Sequence, residues 1–386
     1  MAGEHPQHTL RIAGVFDRKS GMQNDIWRGA SVCLHQLPRC VPFLFNEDVP
    51  TAQLADWRPD GLIVHCSQRK LYDRLARLDV PMVNTSGQLD RLPIPTITPD
   101  NRACGAVAAR FLLANGYRHF AFLGFLDRAF SVRRLQGFRD AIEHGDGTLA
   151  VYEGEVPGWV SDGLDLSPAG HALTAWIAGL HEGAAIMTMD DHIGVVLTQH
   201  MQVIGLEAAG RFGIISGHDR VTPNNPPLTA VRMPEERWGY EAARLLVDMV
   251  RRGARRADDI LLPPLGIAER ESTSGMATDD PFVIGAMRYI RSHAADTISV
   301  GDVARAVSLG RRALERRFVN AMRRTILQEI HRAHVEHAKQ LLIDTDMSMQ
   351  AVAVESGLTD EKQLRRLFQH HEGTTPAAYR RRHRIT

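Results

Sequence analysis

The chain has little cysteine: four residues in 386, Cys33, Cys40, Cys66 and Cys104, with no C-x-x-C spacing among them. They read as reduced thiols in core contexts, which predicts a cytoplasmic protein rather than a disulfide-stapled secreted one. No stretch approaches eighteen consecutive apolar residues, so no transmembrane helix and no membrane partner are expected. The opening MAGEHPQHTLRIAGVF lacks the charged start, apolar run and small-residue cleavage site of a secretory signal. Lysine is scarce as well, at 4 residues beside 42 arginines, so arginine richness reads as a chain-wide codon bias and alone says nothing about nucleic acid. Enzyme signatures are missing: no G-x-G-x-x-G opens a helix, and there is no G-x-x-x-x-G-K-[ST], no G-x-S-x-G and no H-E-x-x-H. No catalytic residues, cofactor or metal are expected. His331, His334 and His337 recur every three positions, but read as a solvated or phosphate-facing stripe on a helix.

What the chain does have is a duplication near its end. Ile298, Val300, Val303, Ala304 and Leu309 recur 49 positions later as Met347, Met349, Val352, Ala353 and Leu358. Past a turn the offset becomes 50, and Leu314, Arg316 and Phe318 recur as Leu364, Arg366 and Phe368. Each copy has the spacing of a helix-turn-helix unit. Ala304 and Ala353 are small where the two helices must touch. Four residues on, the sharp turn favours a residue at positive φ, which suits Gly357 better than Ser308. Gly310 and Asp360 then become the N-caps of the second helices.

The polar positions near the start of each second helix point into solvent or into a major groove. They are Arg311, Arg312, Glu315 and Arg316 in the first copy, and Glu361, Lys362, Gln363, Arg365 and Arg366 in the second. Arginine pairs bidentately with guanine and glutamate accepts from cytosine N4, so this set can carry sequence information. Between the copies, Leu327–Thr345 reads as one helix; about nineteen residues at ~1.5 Å give ~28 Å, close to the ~34 Å between successive major grooves. Charge is unevenly shared: residues 281–386 hold 18 basic against 11 acidic residues, and residues 1–280 hold 28 against 34. The basic segment is the one expected on double-stranded DNA.

With its closing pattern Leu367-Phe368…Gly373-Thr374-Thr375-Pro376…Tyr379-Arg380, this segment resembles the AraC/XylS family of bacterial transcription regulators. One departure stands out, since Ser308 and Gly310 occupy positions where that family more often has glycine and then serine.

The first 270 residues alternate apolar runs with helical patterns. Leu10–Phe16, Pro42–Phe45, Gly61–His65, Pro81–Asn84, Phe120–Phe125, Leu149–Glu153, Ala184–Met189 and Phe212–Gly217 read as buried strands. Asn101–Asn115, Ser131–His144 and Ala169–Leu180 read as helices between them. The alternation predicts an α/β build with two doubly wound parallel sheets, a two-lobed domain whose ligand sits at strand carboxyl ends. The polar strand ends suit a polyol: Asp17 and Arg18, Asn84 to Ser86, Asp190 and Asp191, His218 and Asp219. Trp27 or Trp159 could cover an apolar sugar face. Any one of these residues, taken alone, serves equally as a helix cap or surface group.

This region resembles the sugar-sensing domain of LacI/GalR repressors and the periplasmic sugar-binding proteins. The likeness rests on Asp100…Gly105…Ala109-Arg110-Phe111-Leu112…Gly116 to Gly124, Ser131…Arg134…Gly137-Phe138, and Gly217-His218-Asp219. It implies that Arg134 and Asp219, and less directly Asp190, contact an inducer. The order of parts, and the junction Leu262-Pro263-Pro264…Glu269-Arg270-Glu271-Ser272-Thr273, are similar to regulators of pentose-use operons. That likeness implies D-xylose as effector, activation as output, RNA polymerase as partner and a homodimer. Another pentose, a hexose or a non-sugar effector stays open, as does a sugar-processing enzyme. The expected division is a sensor over 1–270, a linker over 271–281 and an all-α DNA reader with two helix-turn-helix units over 282–386.

Overall fold

The computed structural model describes residues 9–145, 147–156, 168–206, 211–220, 228–273, 278 and 280–383. Its first lobe winds through β1 (Leu10–Phe16), α1 (Gly21–His35), β2 (Cys40–Asn46), α2 (Thr51–Asp56), β3 (Gly61–Val64), α3 (Arg69–Leu75) and β4 (Met82–Asn84). The four strands form a parallel sheet in the order β2-β1-β3-β4. The chain crosses by β5 (Ile97–Pro99) into the second lobe, which runs through α4 (Asn101–Ala114), β6 (His119–Leu123), α5 (Ala129–Glu143), β7 (Thr148–Val151), α6 (Pro168–Ala178), β8 (Ala185–Thr188), α7 (Asp191–Val203), β9 (Gly213–Ser216) and β10 (Thr229–Arg232). The chain then returns to the first lobe as α8 (Glu235–Arg252), passes β11 (Ile260–Leu262), and re-enters the second lobe as β12 (Gly266–Ala268). The six-stranded sheet has the order β12-β10-β9-β8-β6-β7, with only its edge strand β12 antiparallel to its neighbour. β5 and β11 pair in parallel, apart from both large sheets.

The central strands are apolar runs because helices cover both faces of a wound sheet; β8 and β9 are buried at every residue. Helix pairs in both lobes cross at glycine. A Cβ on Gly239 of α8 would stand 1.6 Å from the Ile26 carbonyl oxygen of α1, and one on Gly137 of α5 would stand 1.9 Å from the Arg102 oxygen of α4. Only hydrogen fits at either crossing, so the helices approach backbone to backbone.

The last segment is helical: α9 (Pro281–Ser292), α10 (Val300–Ala306), α11 (Arg311–Met322), α12 (Ile326–Asp344), α13 (Met349–Glu355), α14 (Glu361–Glu372) and α15 (Pro376–His383). α12 belongs to two cores. Its first half gives Ile326 and Ile330 to a cluster with Val303, Ala304, Leu314 and Phe318. Its second half gives Val335, Ala338 and Leu342 to a cluster with Val352, Ala353, Leu364 and Phe368. Both tight turns use the left-handed region, at φ 55° for Ser308 and 75° for Gly357. The first unit thus makes the same turn as the second, with a residue that pays a steric penalty there.

Sequence periodicity did not anticipate β5, β10, β11 or β12. They are three or four residues long, too short to carry a pattern, and three of them lie where the chain crosses between lobes. Residues 271–273, expected to begin a linker, are tied to the sensor instead. Ser272 Oγ donates to the Ile214 carbonyl oxygen at 2.7 Å, and Thr273 is fully buried with its Oγ1 2.7 Å from that of Thr229. Of the remaining stretch, 274–277 and 279 lie outside the described residues, as does Trp159.

Candidate effector cleft and nucleic-acid interface

Strands β3 and β4 of one lobe and β8 and β9 of the other end in polar residues that the fold makes buried. His65, after β3, is buried between the rings of Phe16 and Trp238, and its Nδ1 lies 3.1 Å from Thr85 Oγ1. Burial pushes its pKa down to about 4, so the ring is neutral at physiological pH. Asn84 organises the next strand end, accepting from the backbone N–H groups of Cys66 and Ser86.

Across from these groups, Arg134 of α5 is buried. Its Nε donates to Asn101 Oδ1 at 2.9 Å, Nη1 donates to the Met189 carbonyl, and its guanidinium lies over the Phe130 ring at 5.1 Å. Sequence reasoning treated Asn101 only as a helix start; its role as the partner of Arg134 needed the fold. Asp190 is the N-cap of α7, accepting from Ile193 N at 3.0 Å. Asp219, after β9, stands 2.7 Å from Arg270 Nη1 as an ion pair. Between them His218 is flanked by two carboxylates, Glu235 at 2.6 Å from Nε2 and Asp191 at 3.7 Å from Nδ1. Burial raises the pKa of Asp191, and its neighbour Asp190 adds to that rise while His218 opposes it.

Asp17 holds the turn after β1 with its Oδ1, which accepts from Lys19 N at 2.9 Å. Trp27 is laid on β1, with its Cε3 2.4 Å from where a Cβ on Gly14 would stand and its ring 6.1 Å from that of Phe16. It is a half-buried wall against the sheet. Three contacts strap the two sides of the cleft: Arg220 to Asp25 at 3.4 Å, Arg128 to Gln88 at 2.8 Å, and Arg133 to Asp90 at 2.5 Å. None of the three was expected, because polar contacts between distant segments leave no local pattern.

The reader presents its own polar surface. Arg312, Arg316, Glu361, Lys362, Arg365 and Arg366 are exposed on α11 and α14. Arg311 pairs with Glu315 one turn on, at 3.0 Å. Gln363 is engaged in starting its own helix: its Oε1 accepts from Thr359 N and Oγ1, both at 2.9 Å, while its N–H donates to the Asp360 cap. Gly310 caps α11 with backbone alone. A cavity of about 430 Å³ is lined by Arg311 from one unit and by Thr359 and Gln363 from the other, so both reading helices begin on the same side of α12. His331 and His334 floor it; His334 Nε2 lies 3.1 Å from the Asp296 carbonyl oxygen. No helix among the described residues is long and apolar enough to cross a membrane.

Two family models match the chain, a periplasmic binding protein-like domain over residues 109–273 and a helix-turn-helix domain over residues 303–382. Fold and site together define a transcription regulator, with a periplasmic-binding-protein-like sensor joined to an AraC-type DNA reader. Over 96% of its length the chain is 29% identical to the xylose operon regulatory protein of Escherichia coli (strain K12), of which it covers 96%. It is 26% identical to the xylose operon regulatory protein of Haemophilus influenzae, with 96% and 98% covered. A solved xylose-binding transcription activator, xylR, is 26% identical with a TM-score of 0.59, and the match covers 97% of this chain and 98% of that one. A cellobiose complex of the regulator CelR shares the sensor's fold, at a TM-score of 0.54 and 22% identity over 68% of this chain and 84% of that one. These relatives are regulators, not enzymes.

Proposed function

We propose that this regulator responds to D-xylose and activates genes for pentose use, acting in the cytoplasm as a homodimer that engages operator DNA and RNA polymerase. One observation carries the reading. The likeness to xylose regulators runs through sensor, junction and reader alike, whereas likeness to the transcriptional repressors PurR of Vibrio species covers only 51% of the chain. In this reading Arg134 and Asp219 bind the sugar, Asp190 and Asp17 shape the cleft, and Trp27 supports its wall. Arg311, Arg312, Glu315 and Arg316 of one unit, with Glu361, Lys362, Gln363, Arg365 and Arg366 of the other, contact two adjacent grooves. Residues 1–273 act as the sensor and those from Pro281 onward as the reader.

The mechanism is a population shift. A sugar that contacts both lobes favours their closed arrangement, and only its preference for that arrangement can drive the readers to a new position. A thermal-unfolding panel on the full chain with D-xylose, other pentoses, hexoses and no ligand tests the effector. At 100-fold its Kd a ligand adds about 2.7 kcal/mol, a shift of a few degrees in the sensor transition. A shift with a different sugar alone, or with none, overturns the xylose assignment.

A further inference from the structure

The reader is held to the sensor along a strand edge as well as through the chain between them. β12 ends the six-stranded sheet, and α12 lies against its free side. A Cβ on Gly266 would stand 3.3 Å from Lys339 Nζ, and Glu269 Oε2 is 3.7 Å from Arg332 Nη2. Three residues of extended chain advance ~10 Å and seven of helix ~10.5 Å, so strand and helix run side by side, antiparallel, in step. Tyr379 adds a hydrogen bond from its hydroxyl to the Leu265 carbonyl oxygen at 2.7 Å, and Arg232 of β10 pairs with Asp344 at 2.8 Å.

Just past β12, two adjacent side chains part in opposite directions. Arg270 turns into the sensor, 2.7 Å from Asp219 and donating to the Leu228 carbonyl oxygen at 2.6 Å. Glu269 turns towards the reader, 2.5 Å from Arg291 Nη2 of α9 and within reach of Arg332. Arg332 in turn forks onto Glu329, which is fully buried and also takes Arg324. Two sets of charge contacts, joined by the peptide bond between Glu269 and Arg270, therefore run from a strand end of the sensor cleft to the core of the first helix-turn-helix unit. Asp219 Oδ1 is buried and within ion-pair distance of Arg270, yet it accepts no hydrogen bond from the described residues. It keeps the capacity to accept a ligand hydroxyl.

We propose that Arg270 and Glu269 form a relay: the state of Asp219 sets the position of Arg270, and the shared backbone passes it through Glu269 to Arg291, Arg332 and α12. Arg270 is a positioning residue for the effector site, and Glu269 is its contact with the reader. The relay rests on the reading that Asp219 faces the effector. It matters because α12 spaces the two reading helices, so a shift at β12 moves both at once. A ligand hydroxyl that draws Asp219 away from Arg270 changes the same contact that the reader senses.

The test is a double-substitution cycle on the full chain that requires no sugar. Binding of a DNA duplex selected on this chain from a randomised pool is measured for the unaltered chain, Asp219→Asn, Glu269→Gln and the double variant. The relay predicts that Asp219→Asn alters the duplex Kd by about threefold or more when Glu269 is present, and by less than about twofold when it is Gln. Equal factors in both backgrounds, or no effect of Asp219→Asn in either, overturn it. Calorimetric scans verify that each variant keeps its reader transition. Should Glu269→Gln lose it, Glu269→Asp, which keeps the charge and withdraws it by one methylene, completes the same cycle. D-xylose titrated into the unaltered chain separates the two claims. A sugar without effect removes the effector assignment, while the cycle alone decides the relay.

Discussion

Replacing Glu329 with alanine should cost more than any other single change on the reader surface it shares. The carboxylate is fully buried and held by Arg332, whose Nη2 is 2.6 Å from Oε1 and whose Nε is 3.1 Å from Oε2, with Arg324 on the other side. Burial alone would raise its pKa, but Arg332 and then Arg324 overcome that and hold it at about 2. Alanine leaves two largely buried guanidiniums with only the more distant carboxylates of Glu269 and Glu336 to offset them, and breaking a buried pair in this way costs about 3–5 kcal/mol. For a reader of this size the loss lowers its melting temperature by roughly 15 °C or more.

The pH dependence gives a second handle on the same residue. A carboxylate whose folded pKa is depressed stabilises fully above its unfolded value near 4.5, and that stability disappears as pH falls towards about 2. The unaltered chain should therefore lose about 3 kcal/mol of reader stability across that interval, a loss absent in Glu329→Gln. Differential scanning calorimetry from pH 7 down to pH 2 follows both effects. Arg305→Ala, which breaks an exposed pair with Asp302, is the control and should change stability by well under about 1 kcal/mol. If Glu329→Ala melts within a few degrees of that control, the buried cluster does not hold the unit together.

Arg366→Ala should weaken binding to the selected duplex by about 1–3 kcal/mol and relax its base preference, read by competition with random DNA; equal losses on both would make Arg366 a phosphate contact. Ser308→Gly should raise the reader's stability by about 0.5–1 kcal/mol, because a left-handed serine is strained and glycine is not. A melt that stays level or falls would show that the turn carries no such strain. Gly239→Ala should destabilise the sensor by about 2 kcal/mol or more by forcing α1 and α8 apart, with the reader transition unmoved. A sensor that tolerates it would mean the helices can separate freely.

Much of the reader was legible because each unit repeats a residue-by-residue pattern that few other arrangements produce. Asp360 as a cap, Ala304 and Ala353 at the helix contacts, and the left-handed turn all follow from steric demands at fixed spacings. The long apolar strands of the sensor were legible for a similar reason, since a buried strand needs an unbroken run. The junction was opaque. Ser272 and Thr273 look like linker by composition, yet polar side chains that satisfy sheet backbone have the same composition as a solvated loop. Glu269, Arg291 and Arg332 come together only because β12 and α12 are antiparallel neighbours in space. Asp190 and Gln363 show the converse limit, because a polar residue at the right place can serve its own helix start as well as a ligand.

The placement of α12 on β12 has a consequence for how the protein behaves in pieces. An open strand edge is a row of unpaired donors and acceptors that invites another chain to continue the sheet. Here the reader guards that edge, with Lys339 and Arg332 facing it as bulky charges. A sensor cut free of its reader would bare the edge beside the apolar rim of its six-stranded sheet. The same helix that spaces the reading heads thus also covers a strand edge of the sensor, and a freed sensor is expected to self-associate more readily than the full chain.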